Sequence, residues 1–343
     1  MASSDASTDR GSDGVAGRGA RDAGVEATRD GNAVAIDAAS RDGGGAAGSA
    51  TEYSPYFEIG VTTGAFTTLV DMKARSGVSD VTLAFVLSGG GCNTDQTVQR
   101  ALPDIRAFIA AGGHVKASFG GAAGTYVEAA CADAATLAIA ISGFVDATGI
   151  TDLDFDIEQG PVETAAVNAM RGQALKMVQD AKQIVVSFTL PTTPTGLSNT
   201  GRAVLAAAVS AGVKISHLNL MTMDYGNMPA GTPMAPIAIS SLNGGNTQLK
   251  SIFPGLTTAE AWAMLGATAL IGQNDDNEIF TLQDALDLTD FARQNKLGLL
   301  SFWNIQRDQV CGRGECSQHD VANFDYSNVF ITVNSTITTS SLP

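Results

Sequence analysis

From Tyr53 onward, short apolar runs alternate with Ala-rich stretches whose apolar residues recur every three and four positions. The runs occupy 56–61 (YFEIGV), 81–87 (VTLAFVL), 114–121 (HVKASFGG), 152–158 (DLDFDIE), 183–190 (QIVVSFTL), 217–224 (HLNLMTMD), 267–273 (ATALIGQ) and 297–303 (LGLLSFW). Their shortness and their β-branched and aromatic content predict strands. The intervening segments, such as TVQRALPDIRAFIAAG and TLQDALDLTDFARQNK, predict helices. Eight strand–helix alternations in roughly 290 residues predict an α/β fold, a (β/α)8 TIM barrel, as one domain over 53–343. A doubly wound open sheet is the alternative, but no GxGxxG follows the first strand. The segment SNVFITVNS near the end reads as a terminal strand or return loop.

Before Tyr53 the pattern disappears. Residues 1–52 are mostly Gly, Ala, Asp, Ser and Arg, with no Leu, Phe, Trp, Tyr or Cys. Such a segment buries too little to offset its own ordering entropy and is expected to be a disordered leader or linker. It has no signal-peptide apolar core.

The fourth run carries the sharpest signal. Leu153, Phe155 and Ile157 alternate with Asp154, Asp156 and Glu158. Residues two apart in a strand share a face, so three carboxyls line one side of an otherwise apolar strand. Burial and like charge both raise a carboxyl pKa, so the row is expected to retain a proton near neutral pH. Glu158, last in the row and longest in reach, is the natural general acid, as in glycoside hydrolysis. Ion pairing with Arg or Lys, or a Mg²⁺ or Ca²⁺ site, are the competing readings. In a barrel, function sits at the C-terminal strand ends. Ser118, Gly120, Gly121, Asp156, Glu158, Asp224, Tyr225, Gln273, Asn274 and Trp303 all fall there.

Composition narrows the partners. The net charge of −15 disfavours nucleic acid, and no apolar run reaches the length of a membrane span. Four cysteines, Cys92, Cys131, Cys311 and Cys316, suit two disulfides and an oxidising compartment, with free thiols as the alternative. Cys311 and Cys316 are close enough to close a small loop, and their spacing argues against zinc. The three histidines are scattered without ligand spacing.

The motifs resemble those of glycoside hydrolase family 18, the chitinases. GITDLDFDIE is similar to the DxxDxDxE signature, KASFGG to the SxGG strand and LNLMTMDYG to the MxYD strand. LIGQND, SFWNIQRD and YSPYFEIG resemble the seventh, eighth and first strands of a bacterial subgroup. The match runs in order through most of residues 53–310. It implies a retaining, substrate-assisted hydrolase in which the substrate's N-acetyl carbonyl is the nucleophile. Glu158 is then the acid/base, Asp156 orients the acetamido group and Asp154 supports the shared proton. Tyr225 and Asp224 face the same sugar, Trp303 forms its floor, and Ser118, Gly120, Gly121, Met221, Gln273 and Asn274 belong to the binding set. On its residue type alone, Met221 reads as core.

The chain departs from the signature at Thr151 and Asp152, and Met223 stands at the MxYD tyrosine. No cofactor or metal is implied. The partner implied is chitin or an N-acetylglucosamine oligomer, cut by a secreted monomer. An endo-β-N-acetylglucosaminidase acting on N-glycans is the alternative on the same chemistry, and a non-hydrolytic chitin-binding lectin the alternative from another class.

Overall fold

In the computed structural model, residues 50–335 are described apart from 62, 227, 313 and 320. The strands are β1 (Glu52–Tyr53), β2 (Tyr56–Glu58), β3 (Asp80–Val86), β4 (His114–Gly120), β5 (Asp152–Asp156) and β6 (Val185–Thr193). They continue as β7 (Gly196–Leu197), β8 (Leu218–Met221), β9 (Leu265–Leu270), β10 (Gly272–Gln273), β11 (Ile279–Phe280) and β12 (Leu299–Trp303).

The main sheet runs β1-β12-β9-β8-β6-β5-β4-β3-β2, with parallel pairing throughout that order. Its two ends are one stave. The Ser54 amide donates to Leu300 O on one side, and the Thr82 amide donates to Pro55 O on the other. Pro55 has no amide hydrogen to offer a ladder, which is why the stave divides into β1 and β2 there. The order therefore closes into eight staves, the expected (β/α)8 barrel.

A helix follows each stave. These are Leu69–Ser76, Thr97–Ala110, Ala134–Thr148, Ala165–Lys182, Asn199–Ser210, Met234–Ile252, Leu282–Asn295 and Asp325–Phe330. Capping boxes at Asp133 and Thr281 fix the starts of two of them.

The two faces of the barrel strands differ. On the helix side, Phe119, Phe155 and Phe188 form a row, with Phe144 of the helix Ala134–Thr148 edge-on against Phe119. On the inner side, hydroxyls and amides are paired across strands. Ser301 Oγ donates to Ser54 O, and Asn219 Nδ2 donates to the hydroxyls of Thr189 and Thr268. These small groups, paired through their hydroxyls and amide hydrogens, leave room inside the barrel for the carboxyls of β5.

Three sequence expectations need adjusting. The segment SNVFITVNS is not a strand: it forms most of the eighth helix, with a 3-10 turn at Ile331–Asn334. Phe330 stacks on Tyr53 and meets Phe302 at 5.3 Å, so packing under the barrel overrides the segment's β-branched propensity. Thr51 and Glu52, assigned to the leader, are buried, and Glu52 opens β1. Of the rest of that leader, Ala50 is exposed and residues 1–49 lie outside the described residues. The strand expected at 217–224 ends at Met221. Both disulfides form, Cys92–Cys131 and Cys311–Cys316.

Candidate active site

The register of β5 builds the site. Asp154 lies opposite Ser118 of β4 and Ser187 of β6, and Asp156 lies opposite Gly120 and Thr189. Asp154 is saturated by hydroxyl donors. Its Oδ2 accepts from Ser118 at 2.8 Å, Thr189 at 3.0 Å and Tyr56 at 3.2 Å, and its Oδ1 accepts from Ser187 at 2.8 Å. The Tyr56 hydroxyl also lies 3.4 Å from Asp156 Oδ2, between the two carboxyls.

Asp156 is only 3% exposed, and its Oδ1 is buried without a hydrogen-bond partner. Burial first, then the charges of Glu158 and Asp154, push its pKa well above the ordinary carboxyl value. Glu158 stands just past the end of β5 and is half-buried. Burial raises its pKa too, the charges of Asp224 and Asp275 add to that, and interaction with Asp156 opposes them. Two adjacent carboxyls, both pushed toward the protonated form, make a proton-holding pair.

Gly120 and Gly121 are explained by space and backbone. Both have positive φ, 114° and 91°. A Cβ at Gly120 would fall 2.0 Å from Asp156 O, and one at Gly121 would fall 2.5 Å from the Phe85 ring. Their absence lets the end of β4 close onto β5 and onto an aromatic group beside the carboxyls. Phe85 stacks on half-buried Trp303 at 5.4 Å, and Tyr56 meets both rings, at 5.9 Å and 5.6 Å.

The other expected residues are placed differently. Asp224 has a φ of 49°, turning the chain after β8. It bridges to the next loop, donating from N to Asn274 Oδ1 and accepting from Asp275 N. Burial pushes its pKa up to about 6. Past that turn the Tyr225 hydroxyl bonds Ser241 Oγ on the helix Met234–Ile252, at 3.0 Å. Burial pushes that phenol up to about 12.

Gln273 and Asn274 spend their amide groups on nearby carbonyls, stiffening the β10–β11 hairpin. Met221 is half-buried at the end of β8. The structure thus gathers Asp154, Asp156, Glu158, Ser118, Gly120, Gly121 and Trp303 around one point. Asp224 stands near it on the rim, and Tyr225, Gln273 and Asn274 support the loops. Three residues at the centre were missed: Tyr56, Phe85 and Tyr126, the last bonded to the Glu158 amide at 3.1 Å. Each is an aromatic inside or beside an apolar run and reads as core.

Among the described residues, Asp224, Asp276 and Glu278 bring carboxylate oxygens within 4.8 Å of one another. Glu278 Oε2 accepts from the Tyr225 amide.

No protein-family model matches the chain. Endochitinase 11 of Metarhizium anisopliae is 35% identical over 277 residues, 75% of this chain. A probable bifunctional chitinase/lysozyme of Escherichia coli is also 35% identical over 277 residues. The chain spans about half of the first relative's length (52%) and about a third of the second's (31%). Active domain 2 of the chitinase from Pyrococcus furiosus superposes with a TM-score of 0.73 at 30% identity, covering 84% of this chain and 98% of that one. A form of that domain solved with chito-oligosaccharides superposes equally, at 31% identity, over 83% of this chain and 95% of that one. With its barrel, its carboxyl row and its glycine and tryptophan positions arranged as above, the chain belongs to the glycoside hydrolase family 18 chitinases.

Proposed function

We propose that the protein hydrolyses β-1,4 linkages between N-acetylglucosamine units of chitin or its oligomers, with retention and with the substrate's own acetamido group as nucleophile. The observation that carries this reading is the buried, unpartnered Asp156 Oδ1 beside Glu158, in a carboxyl pair that burial drives toward holding a proton.

The steps use these residues in turn. A sugar resting against Trp303 presents its acetamido N–H to Asp156 Oδ1, the vacant acceptor. That bond favours the carboxylate form of Asp156, so the shared proton moves to Glu158. Glu158 gives it to the glycosidic oxygen as the C1–O bond breaks, and the acetamido carbonyl oxygen bonds C1. The positive charge that develops on the acetamido group faces Asp156, with Asp154 and its four hydroxyl donors behind it. Water then attacks C1, the bond from the acetamido oxygen to C1 breaks and restores the acetamido group, and the water loses its proton to Glu158. The two disulfides fit an extracellular setting. The relatives named as chitinases, and a domain solved with chito-oligosaccharides, support the substrate class.

The test is hydrolysis of a fluorogenic N-acetylglucosamine oligomer by the wild type and by Glu158→Gln. Loss of roughly three or more orders of magnitude in kcat in the variant is the expected outcome. A variant that turns over at the wild-type rate removes Glu158 from the chemistry.

A further inference from the structure

We propose that Tyr126 is a positioning residue for the proton donor: its hydroxyl holds the main chain of Glu158 where β4 and β5 end. This inference rests on the reading of Glu158 as general acid. Three backbone groups meet on one phenolic oxygen. Gly121 O lies at 2.8 Å, Asp156 O at 3.0 Å and the Glu158 amide, which donates, at 3.1 Å. The single hydroxyl proton is shared between the two carbonyls, and a lone pair receives the amide.

That amide has reached the end of the sheet. The preceding amide, of Ile157, still donates to Thr189 O of β6. The Glu158 amide, one residue later, faces the other edge, where β4 has already ended at Gly120, and the phenol stands in for a ladder carbonyl. The Glu158 backbone is therefore fixed by a side chain from another loop.

The phenol is itself held rigidly. Tyr126 is 1% exposed, and its ring fills the space beside Gly120, where a Cβ would lie 2.7 Å from Cε1. The short helix Val127–Ala130 that follows is anchored twice. Glu128 accepts from buried Arg171 at 2.6 Å, and the next residue after the helix, Cys131, is disulfide-bonded to Cys92. These anchors belong to no step of the proposed reaction, but they preset a hydroxyl that touches the backbone of both Asp156 and Glu158. A donor displaced by a fraction of an ångström loses proton-transfer efficiency while the sugar-binding surface stays intact.

The experiment is Tyr126→Phe, which keeps the ring and removes the hydroxyl, assayed on the fluorogenic oligomer beside wild type and Glu158→Gln. The expected result is a kcat lowered about 10- to 100-fold with KM unchanged to within about two-fold. A kcat at the wild-type level, or a KM that rises in proportion to the fall in kcat/KM, overturns the proposal. If Glu158→Gln stays active, the underlying reading fails instead, whatever Tyr126→Phe does.

Should Tyr126→Phe not fold, a fluorinated tyrosine placed at 126 keeps the packing. It strengthens the donated bond and weakens the one accepted from Glu158. A changed kcat at constant KM and constant unfolding temperature supports the role, and an unchanged kcat overturns it.

Discussion

The phenol of Tyr56 sets how firmly Asp156 holds its proton. It points between Asp154 and Asp156, and its hydrogen bond favours the charged form of Asp156. Tyr56→Phe removes that support, so the pKa of Asp156, and with it that of the Asp156–Glu158 pair, rises further. In the proposed mechanism the protonated pair is the active acid, so the alkaline limb of kcat/KM moves to higher pH. A pH–rate profile checks this, and a limb displaced to lower pH would contradict it. Gly121→Ala strikes the same centre from outside. At φ 91°, with a Cβ 2.5 Å from Phe85, the substitution is expected to displace the Phe85–Trp303 stack and cost about 1–3 kcal/mol in denaturant unfolding. The carboxyls were legible in the sequence because a period of two is a strong signal and acids are conspicuous on it. Tyr56 and Tyr126 were not, because a buried tyrosine looks the same in sequence whether its hydroxyl idles or bonds the carboxyls or backbone of the β5 row. The Tyr225–Ser241 bond was not legible either: it follows from the left-handed turn at Asp224, and no residue pattern announces a positive φ at aspartate.

At the scale of elements, all eight staves were readable from their apolar runs, because each is short, buried and bounded by helix signals. What the runs did not show was how the first stave joins the last. That junction explains why Glu52 belongs to the barrel. Lys116, buried inside β4, donates to Glu52 Oε1 at 3.1 Å, with Asp152 close enough to add its charge. Glu52→Gln removes the carboxylate bonded to a buried ammonium, and a loss of about 3 kcal/mol in unfolding free energy is expected. The eighth helix escaped notice because Val329, Ile331, Thr332 and Val333 favour strands locally, and only the pocket made by Tyr53 and Phe302 selects the helix. The disulfides also act between elements. Cys92–Cys131 closes a 39-residue separation between the loops after β3 and β4, whereas Cys311–Cys316 closes only 5. On chain entropy the longer closure stabilises by about 4 kcal/mol and the shorter by about 2. Paired Ser substitutions at 92 and 131 should therefore lower the unfolding midpoint more than those at 311 and 316.

For the molecule as a whole, the buried acids make stability depend on pH in a direction opposite to that of a protein held by surface ion pairs. Burial pushes Asp152 and Asp308 up to about 6, and Asp156 well above its ordinary value. In the unfolded chain all three titrate near the usual value of about 4. Between roughly pH 4 and 6 the folded state therefore binds more protons than the unfolded state, and unfolding free energy falls as pH rises through that window. For Asp152 and Asp308 the shift is worth on the order of 3 kcal/mol each. Asp71, Asp133 and Glu260 shift downward and act in the opposite sense, but they lie on the surface, where such contributions are small. The net charge of −15 offers a rival cause of the same sign, since self-repulsion also grows as carboxyls ionise. Salt separates the two, because it screens repulsion between exposed charges and barely touches burial. Unfolding free energy measured from pH 4 to 8 should decline most steeply below pH 7, and the decline should persist in high salt. Asp152→Asn, which removes one of the raised groups, should make the slope shallower. A slope that vanishes in salt and is unchanged in the variant would assign the effect to surface charge instead of to the acids buried along the barrel.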